Sequence, residues 1–188
     1  MNPAAIDFFA SSEQVARQLI GMRFLVNGTG GIIVETEAYD REDPASHSFS
    51  GPSRRNAAMF GRPGCAYVYR SYGIHWCLNF VCREAGHGAG VLIRALEPTD
   101  GLEAMRARRG LADSRLLCAG PGRVGQALAI GPGHNGLPLD LPPFELFAGE
   151  ASPALAVLVG PRVGISKAID QPWRFGLAGS RFLSRPFR

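Results

Sequence analysis

The chain has 188 residues, of which 46% are hydrophobic and 19% are charged. This length suits one domain with a continuous core, and the composition excludes an extensively disordered chain. No apolar run approaches the roughly 20 residues needed to cross a bilayer, and no secretory signal is visible, so we expect an intracellular protein without a membrane segment. The formal net charge of +4 is compatible with a polyanionic partner but does not establish one.

The basic residues are of almost one kind, since Lys167 is the only lysine and all the others are arginines. Few amines are therefore available for Schiff-base chemistry. A covalent imine mechanism would have to use Lys167 or the N-terminus.

None of the four cysteines belongs to a Cys-x-x-Cys pair; they are Cys65, Cys77, Cys82 and Cys118. Cys77 and Cys82 lie near His75 and His87, a grouping that raises the question of zinc. However, the two cysteines occupy positions of opposite parity in a strand-like run, whereas structural zinc sites group their ligands at short turns. We therefore predict reduced, mostly buried thiols, no metal site and no cofactor.

The first elements are marked by local signals. Ser11 and Gln14 form a capping-box pattern, which predicts a helix that stops at Gly21. A strand over Phe24–Val26 then meets Asn27-Gly28, the dipeptide typical of a tight β-hairpin.

The returning strand, Ile32–Glu37, carries two carboxylates. Glu35, Glu37 and Tyr39 would share one face if the strand stays regular. Two carboxylates could act as an acid/base pair, as in glycoside hydrolysis, but neighbours on one strand leave no space for a substrate between them. We expect one catalytic and one structural glutamate.

A second hairpin is predicted further along the chain, after a short helix over 57–60. Its strands run over Cys65–Arg70 and Ile74–Val81 and are rich in aromatic residues. Ser71-Tyr72-Gly73 lies between them, and an aromatic residue is less expected in an exposed turn than in a strand. Tyr72 is therefore the unusual residue of this hairpin.

Val91–Leu96 is predicted to be a central strand with Arg94 embedded in it. A buried arginine requires a carboxylate or phosphate partner.

The remaining elements are two helices and two strands. A helix is predicted from Gly101 to about Arg109, opened by Pro98–Asp100, and Gly120–Leu128 is predicted to lead into another. Leu155–Val159 and Arg162–Ile165 are predicted as closing strands. Because strands and helices are interleaved without a steady β-α-β alternation, we predict an α+β fold, one domain over residues 1–188 with a curved, largely antiparallel sheet and surrounding helices.

Several side chains suited to nucleic-acid chemistry occur together: Glu37, Tyr39, His47, Tyr69 and Tyr72, with arginines at Arg54, Arg55 and Arg94. Enzymes that act on a base within a duplex extrude it, stack it between flat side chains and fill the gap that it leaves. This set suits that task, although aromatic residues in strands more often belong to a core.

Long motifs strengthen this interpretation. They include Val34–Tyr39 with His47, Arg55-Asn56, Tyr67–Gly73, Asn79, Leu92–Pro98, Cys118–Pro121 and Arg162–Gly164. Together they resemble the alkyladenine (3-methyladenine) DNA glycosylase family, in order and over nearly the whole chain, from about Gly21 to Arg185.

The resemblance implies a monofunctional glycosylase that flips a damaged purine out of double-stranded DNA and hydrolyses its bond to deoxyribose, leaving an abasic site. Implied substrates are 3-methyladenine, 7-methylguanine, ethenoadenine and hypoxanthine. Glu37 matches the general base that activates water, and Arg94 matches a residue that helps to position it. Tyr72 matches the residue that intercalates at the tip of a β-hairpin inserted into DNA.

The resemblance also implies a base pocket formed by Tyr39, His47, Tyr69 and Asn79, in which Asn79 excludes normal guanine through its exocyclic amine. We expect Arg54 and Arg55 to contact the DNA backbone. A monomer in the cytoplasm or at the nucleoid is expected.

Two pairs beside Tyr72, Arg70-Ser71 and His75-Trp76, depart from the family's pattern. Two other interpretations also stay open. Gly120–Gly125 resembles the backbone-binding hairpin of helix-hairpin-helix glycosylases, although short Gly/Pro patterns are weak signals. A non-catalytic nucleic-acid-binding protein could use the same basic, aromatic surface.

Overall fold

A curled antiparallel sheet forms the centre of the molecule. The computed structural model of the protein describes residues 6–149 and 156–187. Within these residues the strands are β1 Arg23–Val26, β2 Thr29–Tyr39, β3 Ala66–Ser71, β4 His75–Cys82, β5 Ala89–Asp100, β6 Phe144–Phe147, β7 Val157–Gly160 and β8 Arg174–Leu177. Their order is β3-β4-β5-β2-β1-β6, and β8 pairs with both β2 and β7.

Helices accompany this sheet. They are α1 Ser12–Leu19, α2 Leu102–Arg109, α3 Ser114–Leu117 and α4 Pro121–Ala127, with 3-10 turns at Ala57–Phe60 and Pro132–His134. Interleaved helices around an antiparallel sheet confirm the predicted α+β fold. Across the part of the chain that is described, no helix combines the length and apolar character that a bilayer crossing requires.

The local signals near the N-terminus are confirmed. Ser11 Oγ accepts from the Gln14 amide at 3.3 Å, while Gln14 Oε1 accepts from the Ser11 amide at 3.2 Å, so both halves of the capping box are present at α1. Asn27 and Gly28 have φ angles of 49° and 70°. Positive φ at both central residues is the backbone that a tight hairpin turn requires.

The two faces of the sheet carry different side chains: one packs into the main apolar core, and the other carries buried polar residues. Side chains on one face, such as Ala38, Phe80 and Ile93, join the main apolar core with α1, α2 and α4. The next residues along each strand point to the opposite face, because side chains alternate along a strand. Glu37 and Asn79 lie on that second face, and both are buried.

The four cysteines are free and buried, as predicted. Cys82 lies in the main apolar core, whereas Cys77 lines a cleft on the opposite face. Among the described residues, no group of three or more potential metal ligands occurs.

The helix predicted from Gly101 to about Arg109 is confirmed as α2, whereas one predicted strand end and one predicted strand are wrong. The strand predicted over Val91–Leu96 extends to Asp100 as β5, where the Arg23 side chain binds the Asp100 carboxylate, with Nε 3.0 Å from Oδ2. Arg162–Ile165 forms a loop, because the Arg162 side chain turns into the interior to pair with Asp43. Of the other closing strand, Leu155 lies outside the described residues, while Val157–Gly160 forms β7. Strands β6 and β8 were not predicted.

The segment Gly120–Gly125 forms the first turns of α4 and packs against β4. A Cβ atom at Gly125 would overlap the carbonyl oxygen of Trp76, and one at Gly122 would contact the His75 side chain. Glycine at these two positions therefore allows α4 to approach the hairpin closely. The motif that favoured a helix-hairpin-helix protein is thus explained by packing within a sheet-based fold.

Candidate active site

One row of side chains crosses five strands on the second face of the sheet, the face that carries Glu37 and Asn79. Its members are register neighbours from β3 to β8: Tyr67, Asn79, Leu92, Glu37 and Arg174. Hydrogen-bonded strands hold these positions about 5 Å apart from one to the next. The sheet itself therefore places the Glu37 carboxylate between Leu92 and the basic Arg174, with Asn79 and Tyr67 further along the row.

A cleft of about 620 Å³ opens over this row. It brings together most of the residues that the sequence singled out, namely Glu37, Tyr39, His47, Arg55, Tyr69, Tyr72, Asn79 and Arg94. Arg54 is exposed and does not line the cleft. The segment from Val163 to Lys167, which contains the only lysine, forms another side of the cleft.

Glu37 is buried and held by two hydrogen bonds and one ion pair. Its Oε1 atom accepts from the Val163 amide at 2.7 Å and lies 3.3 Å from Arg94 Nη1. Its Oε2 atom accepts from the Tyr39 hydroxyl at 2.9 Å. Because Tyr39 is buried beside this carboxylate, the pKa of its phenol is raised, so it remains a donor.

Arg94 lies at an irregularity of the β2–β5 pairing, where the register passes from Ile93 to Ala95 and omits it. Its Nε atom is 3.1 Å from Glu35 Oε1, so the carboxylate partner expected from the sequence is present. Glu35 Oε1 also accepts from Arg174 Nε at 2.6 Å. We call Glu35, Glu37, Arg94 and Arg174 the charge cluster. It is buried and contains two charges of each sign, which satisfies the requirement that buried ions be paired.

Aromatic rings form one wall of the cleft. Tyr67 and Tyr69 stack at 5.6 Å between ring centroids, and His47 meets Tyr69 edge-on at 4.5 Å. His47 Nδ1 is 2.9 Å from the Tyr67 hydroxyl. Burial, with a smaller contribution from the positive charge of Arg55, lowers the pKa of His47 below its ordinary value. Burial also raises the pKa of Tyr67 to about 12.

The loop that carries His47 is fixed from two sides. Asn56 Nδ2 donates to the His47 carbonyl oxygen at 2.8 Å. Asp43, four residues before His47, forms a fully buried ion pair with Arg162, whose Nη2 is 2.9 Å from Oδ1. The Arg162 guanidinium also lies 4.6 Å from the centroid of the Tyr39 ring. One arginine thus braces two walls of the cleft.

The tip of the β3–β4 hairpin projects an aromatic side chain from the rim. Tyr72 is 89% exposed and has φ of +49°, and Ile74 beside it is 67% exposed. Positive φ is unfavourable for a bulky non-glycine residue, which is typical of a functional constraint. Below the tip, the Arg70 guanidinium lies 5.8 Å from the ring of its cross-strand partner Trp76, so two of the departures from the family pattern contact each other.

Sequence reasoning missed three contributors to this site. Tyr67 could have been found, because it lies two residues from Tyr69 and therefore on the same strand face. Val163 contributes a backbone amide, which leaves no side-chain signature. The Asp43–Arg162 pair joins segments 119 residues apart, so no local pattern reveals it.

This arrangement can hold a flat ring against the aromatic wall and bring it next to a buried, arginine-paired carboxylate. Such a carboxylate can take a proton from water and stabilise developing positive charge. The exposed tyrosine at the rim can stack on another flat surface outside the cleft.

Comparison with known proteins agrees with this chemistry. Residues 7–181 match the family model described as methylpurine-DNA glycosylase. A Nitrosospira multiformis protein named "Putative 3-methyladenine DNA glycosylase" is 68% identical over all of this chain and 96% of its own length. Proteins of the same name from Rhodopseudomonas palustris and Rhizobium meliloti are each 61% identical, over 96% and 97% of this chain and 90% and 96% of their own lengths. The chain belongs to the methylpurine-DNA glycosylase family, whose enzymes are hydrolases of N-glycosyl bonds in DNA.

Proposed function

We propose that the protein flips methylated purines such as 3-methyladenine out of double-stranded DNA and removes them by hydrolysis, leaving an abasic site. The observation that carries this proposal is Glu37, buried at the floor of an aromatic-walled cleft and paired with Arg94. Family membership supports the reaction class, and the names of the relatives support the methylated adenine as substrate.

Glu37 acts as the general base in this proposal. Its Oε2 atom accepts one hydrogen bond, from Tyr39, and keeps acceptor capacity for a water molecule. The carboxylate takes a proton from this water while the water oxygen bonds to C1′ of deoxyribose and the C1′–N bond breaks. The electron pair of that bond leaves with the purine. The negative charge of Glu37 also stabilises the positive character that develops on the sugar.

The aromatic wall receives the extruded base. Tyr39, His47 and Tyr69 present flat faces or edges to the cleft, which suits a purine ring. Asn79 lies deeper, and its amide nitrogen donates to the Tyr67 carbonyl oxygen at 3.2 Å. This bond fixes the position of the Asn79 side chain. Asn79 can therefore contact the edge of the base and exclude guanine, whose exocyclic amine does not fit there.

The charge of the lesion determines how easily it leaves. An N-alkylated purine already carries positive charge and departs as a neutral molecule, so it needs no acid. Glu37 is the only carboxyl group among the described residues that line the cleft. We therefore propose rapid release of 3-methyladenine and 7-methylguanine, and slower release of the neutral lesions hypoxanthine and ethenoadenine.

The rim engages the rest of the duplex. Tyr72 fills the space from which the base was extruded, Arg94 helps to position the attacking water, and Arg55, with Arg54 outside the cleft, contacts phosphates. We propose that the protein acts on genomic DNA as a monomer inside the cell, in the cytoplasm or at the nucleoid.

Duplexes with one 3-methyladenine, 7-methylguanine, hypoxanthine or ethenoadenine residue test the proposal. The purified protein should convert them into duplexes that break at the lesion only after alkali treatment, while undamaged duplex stays intact. A protein that binds these duplexes in a salt-dependent manner but produces no abasic site from any of them would be a non-catalytic DNA-binding protein, and the proposal would fail.

His47 should make binding of cationic bases sensitive to acid. Because its pKa is lowered from the ordinary value of about 6.5, the imidazole is neutral above that pH and gains charge only below it. Affinity for a 7-methylguanine duplex should be constant from about pH 8 to 6.5 and fall in more acidic buffer, where the imidazolium repels the cationic base.

The measurement uses Glu37→Gln protein in a binding titration, so that the duplex is not consumed. A hypoxanthine duplex is the neutral-base control and should show a weaker pH dependence, and His47→Asn should remove the difference. Equal pH dependence for both bases would contradict a role for the His47 charge.

Tyr72 should stabilise the complex with damaged DNA at a cost to the free protein. Tyr72→Ala should weaken binding to lesion duplex about tenfold or more, since base–aromatic stacking contributes about 1–3 kcal/mol, and should weaken binding to undamaged duplex much less. Tyr72→Gly should also raise the free energy of unfolding by about 1 kcal/mol, because glycine adopts positive φ without strain.

Binding titrations and urea unfolding of the same variants check both parts. Ile74→Ala is a matched control for removal of an exposed apolar side chain at the same tip. Equal losses of affinity on the two DNAs would argue against intercalation by Tyr72.

A further inference from the structure

The chain segment after β8 returns to the back of the active site. The Ser184 amide donates to Glu35 Oε2 at 2.5 Å, and its hydroxyl donates to Glu35 Oε1 at 2.9 Å. The same hydroxyl accepts from Arg94 Nε at 3.1 Å. Ser184 therefore contacts the charge cluster through both its backbone and its side chain.

The Ser184 hydroxyl lies between Glu35 and Arg94 and bonds to both. Arg94 Nε divides its hydrogen bond between Glu35 and Ser184, while Arg94 Nη1 faces Glu37. The orientation of the guanidinium plane thus depends on what holds Nε. A hydroxyl that both donates to Glu35 and accepts from Arg94 fixes this plane without adding charge to the cluster.

The segment has other anchors that do not involve this hydroxyl. Arg174 Nη2 donates to the Arg185 carbonyl oxygen at 2.5 Å, and the Arg174 guanidinium lies 4.0 Å from the centroid of the Phe187 ring. Loss of the hydroxyl alone should therefore leave the segment in place. Its effect on catalysis can be separated from its effect on folding.

We propose that Ser184 is a positioning residue for the reaction, which acts by orienting Arg94 against Glu37. This inference rests on the proposed function. Arg94 contributes to catalysis only if its guanidinium is held where the water and the developing charge lie, and a displacement of about 1 Å can cost about a hundredfold in rate. Because the hydroxyl bonds two ionised groups, its loss should have a larger effect than loss of an ordinary neutral hydrogen bond.

The test is single-turnover and steady-state kinetics of Ser184→Ala on a 3-methyladenine or 7-methylguanine duplex. We expect kcat to fall about tenfold or more, as the strength of a hydrogen bond to a charged group implies. KM and the melting temperature should stay close to the wild-type values, and Ser184→Thr, which keeps the hydroxyl, should restore most of kcat.

Ser180→Ala is the matched control, because Ser180 Oγ accepts from the Phe182 amide in the same segment and, among the described residues, makes no hydrogen bond to the charge cluster. It should keep the wild-type kcat. The inference is overturned if Ser184→Ala keeps the wild-type kcat, if KM and melting temperature change in proportion to kcat, or if Ser184→Thr is as slow as Ser184→Ala. An inactive wild-type protein would instead overturn the proposed function, and this inference with it.

Discussion

Replacing Glu37 with glutamine should lower the rate of base release by about 10²–10⁴-fold, the range typical for loss of a general base. The amide keeps the size and shape of the side chain but cannot take a proton from water. It also removes the negative charge that stabilises the sugar in the transition state. Single-turnover release of 7-methylguanine, measured by alkali cleavage, gives this rate directly.

Binding separates a catalytic role from a structural one. Glu37→Gln should still bind a lesion duplex in preference to undamaged DNA, because the aromatic wall is unchanged. Glu97→Gln is a matched control, since Glu97 also lies in the central pair of strands but does not line the cleft; it should keep wild-type activity. Wild-type cleavage by Glu37→Gln would refute the assignment of the base even if the protein remains a glycosylase.

Loss of the Asp43 carboxylate should produce the largest change in stability. Asp43→Ala should lower the free energy of unfolding by about 3–5 kcal/mol, because it leaves the Arg162 guanidinium buried without its counter-ion. Urea-induced unfolding measures the change. Base binding should weaken as well, since the loop that carries His47 and the ring of Tyr39 both depend on this pair.

A double variant tests whether the uncompensated charge of Arg162 causes the loss of stability. In Asp43→Ala/Arg162→Met the uncompensated charge is gone, so part of the lost stability should return, as is found when buried ion pairs are replaced by apolar groups. If the double variant is less stable than Asp43→Ala, then Arg162 stabilises the fold through contacts other than this ion pair.

Local patterns were sufficient to predict much of the fold. The capping box at Ser11 and the Asn27-Gly28 turn each depend on neighbouring residues, and both are present as predicted. The central strand shows the limit of such signals: its apolar pattern ends at Leu96, but pairing of Asp100 with Gly30 and its bond to Arg23, 77 positions away, extend the strand to Asp100. Tertiary contacts of this kind override local propensity.

The candidate site likewise contains some residues that the sequence identifies and others that only long-range contacts reveal. Motif resemblance led to Glu37, Tyr39 and His47 because their side chains carry the chemistry. The groups behind them act through long-range contacts: the Val163 amide donates to Glu37 across 126 positions, and the Ser184 hydroxyl donates to Glu35 across 149. Only the folded chain shows such contacts, since neither residue type nor spacing indicates them.

The floor and the walls of the cleft differ in how much of their backbone is hydrogen-bonded within the sheet. They should therefore also differ in how readily they unfold locally. Its floor belongs to β2 and β5, the longest strands described, whose amides are bonded within the sheet. Much of its wall consists of connecting segments around His47 and Val163, where fewer backbone groups are paired in this way. Segments with few such bonds open at lower free energy than the core of a sheet. Opening of the walls can therefore admit and release a base many times while amide hydrogens beneath Glu37 remain protected from exchange.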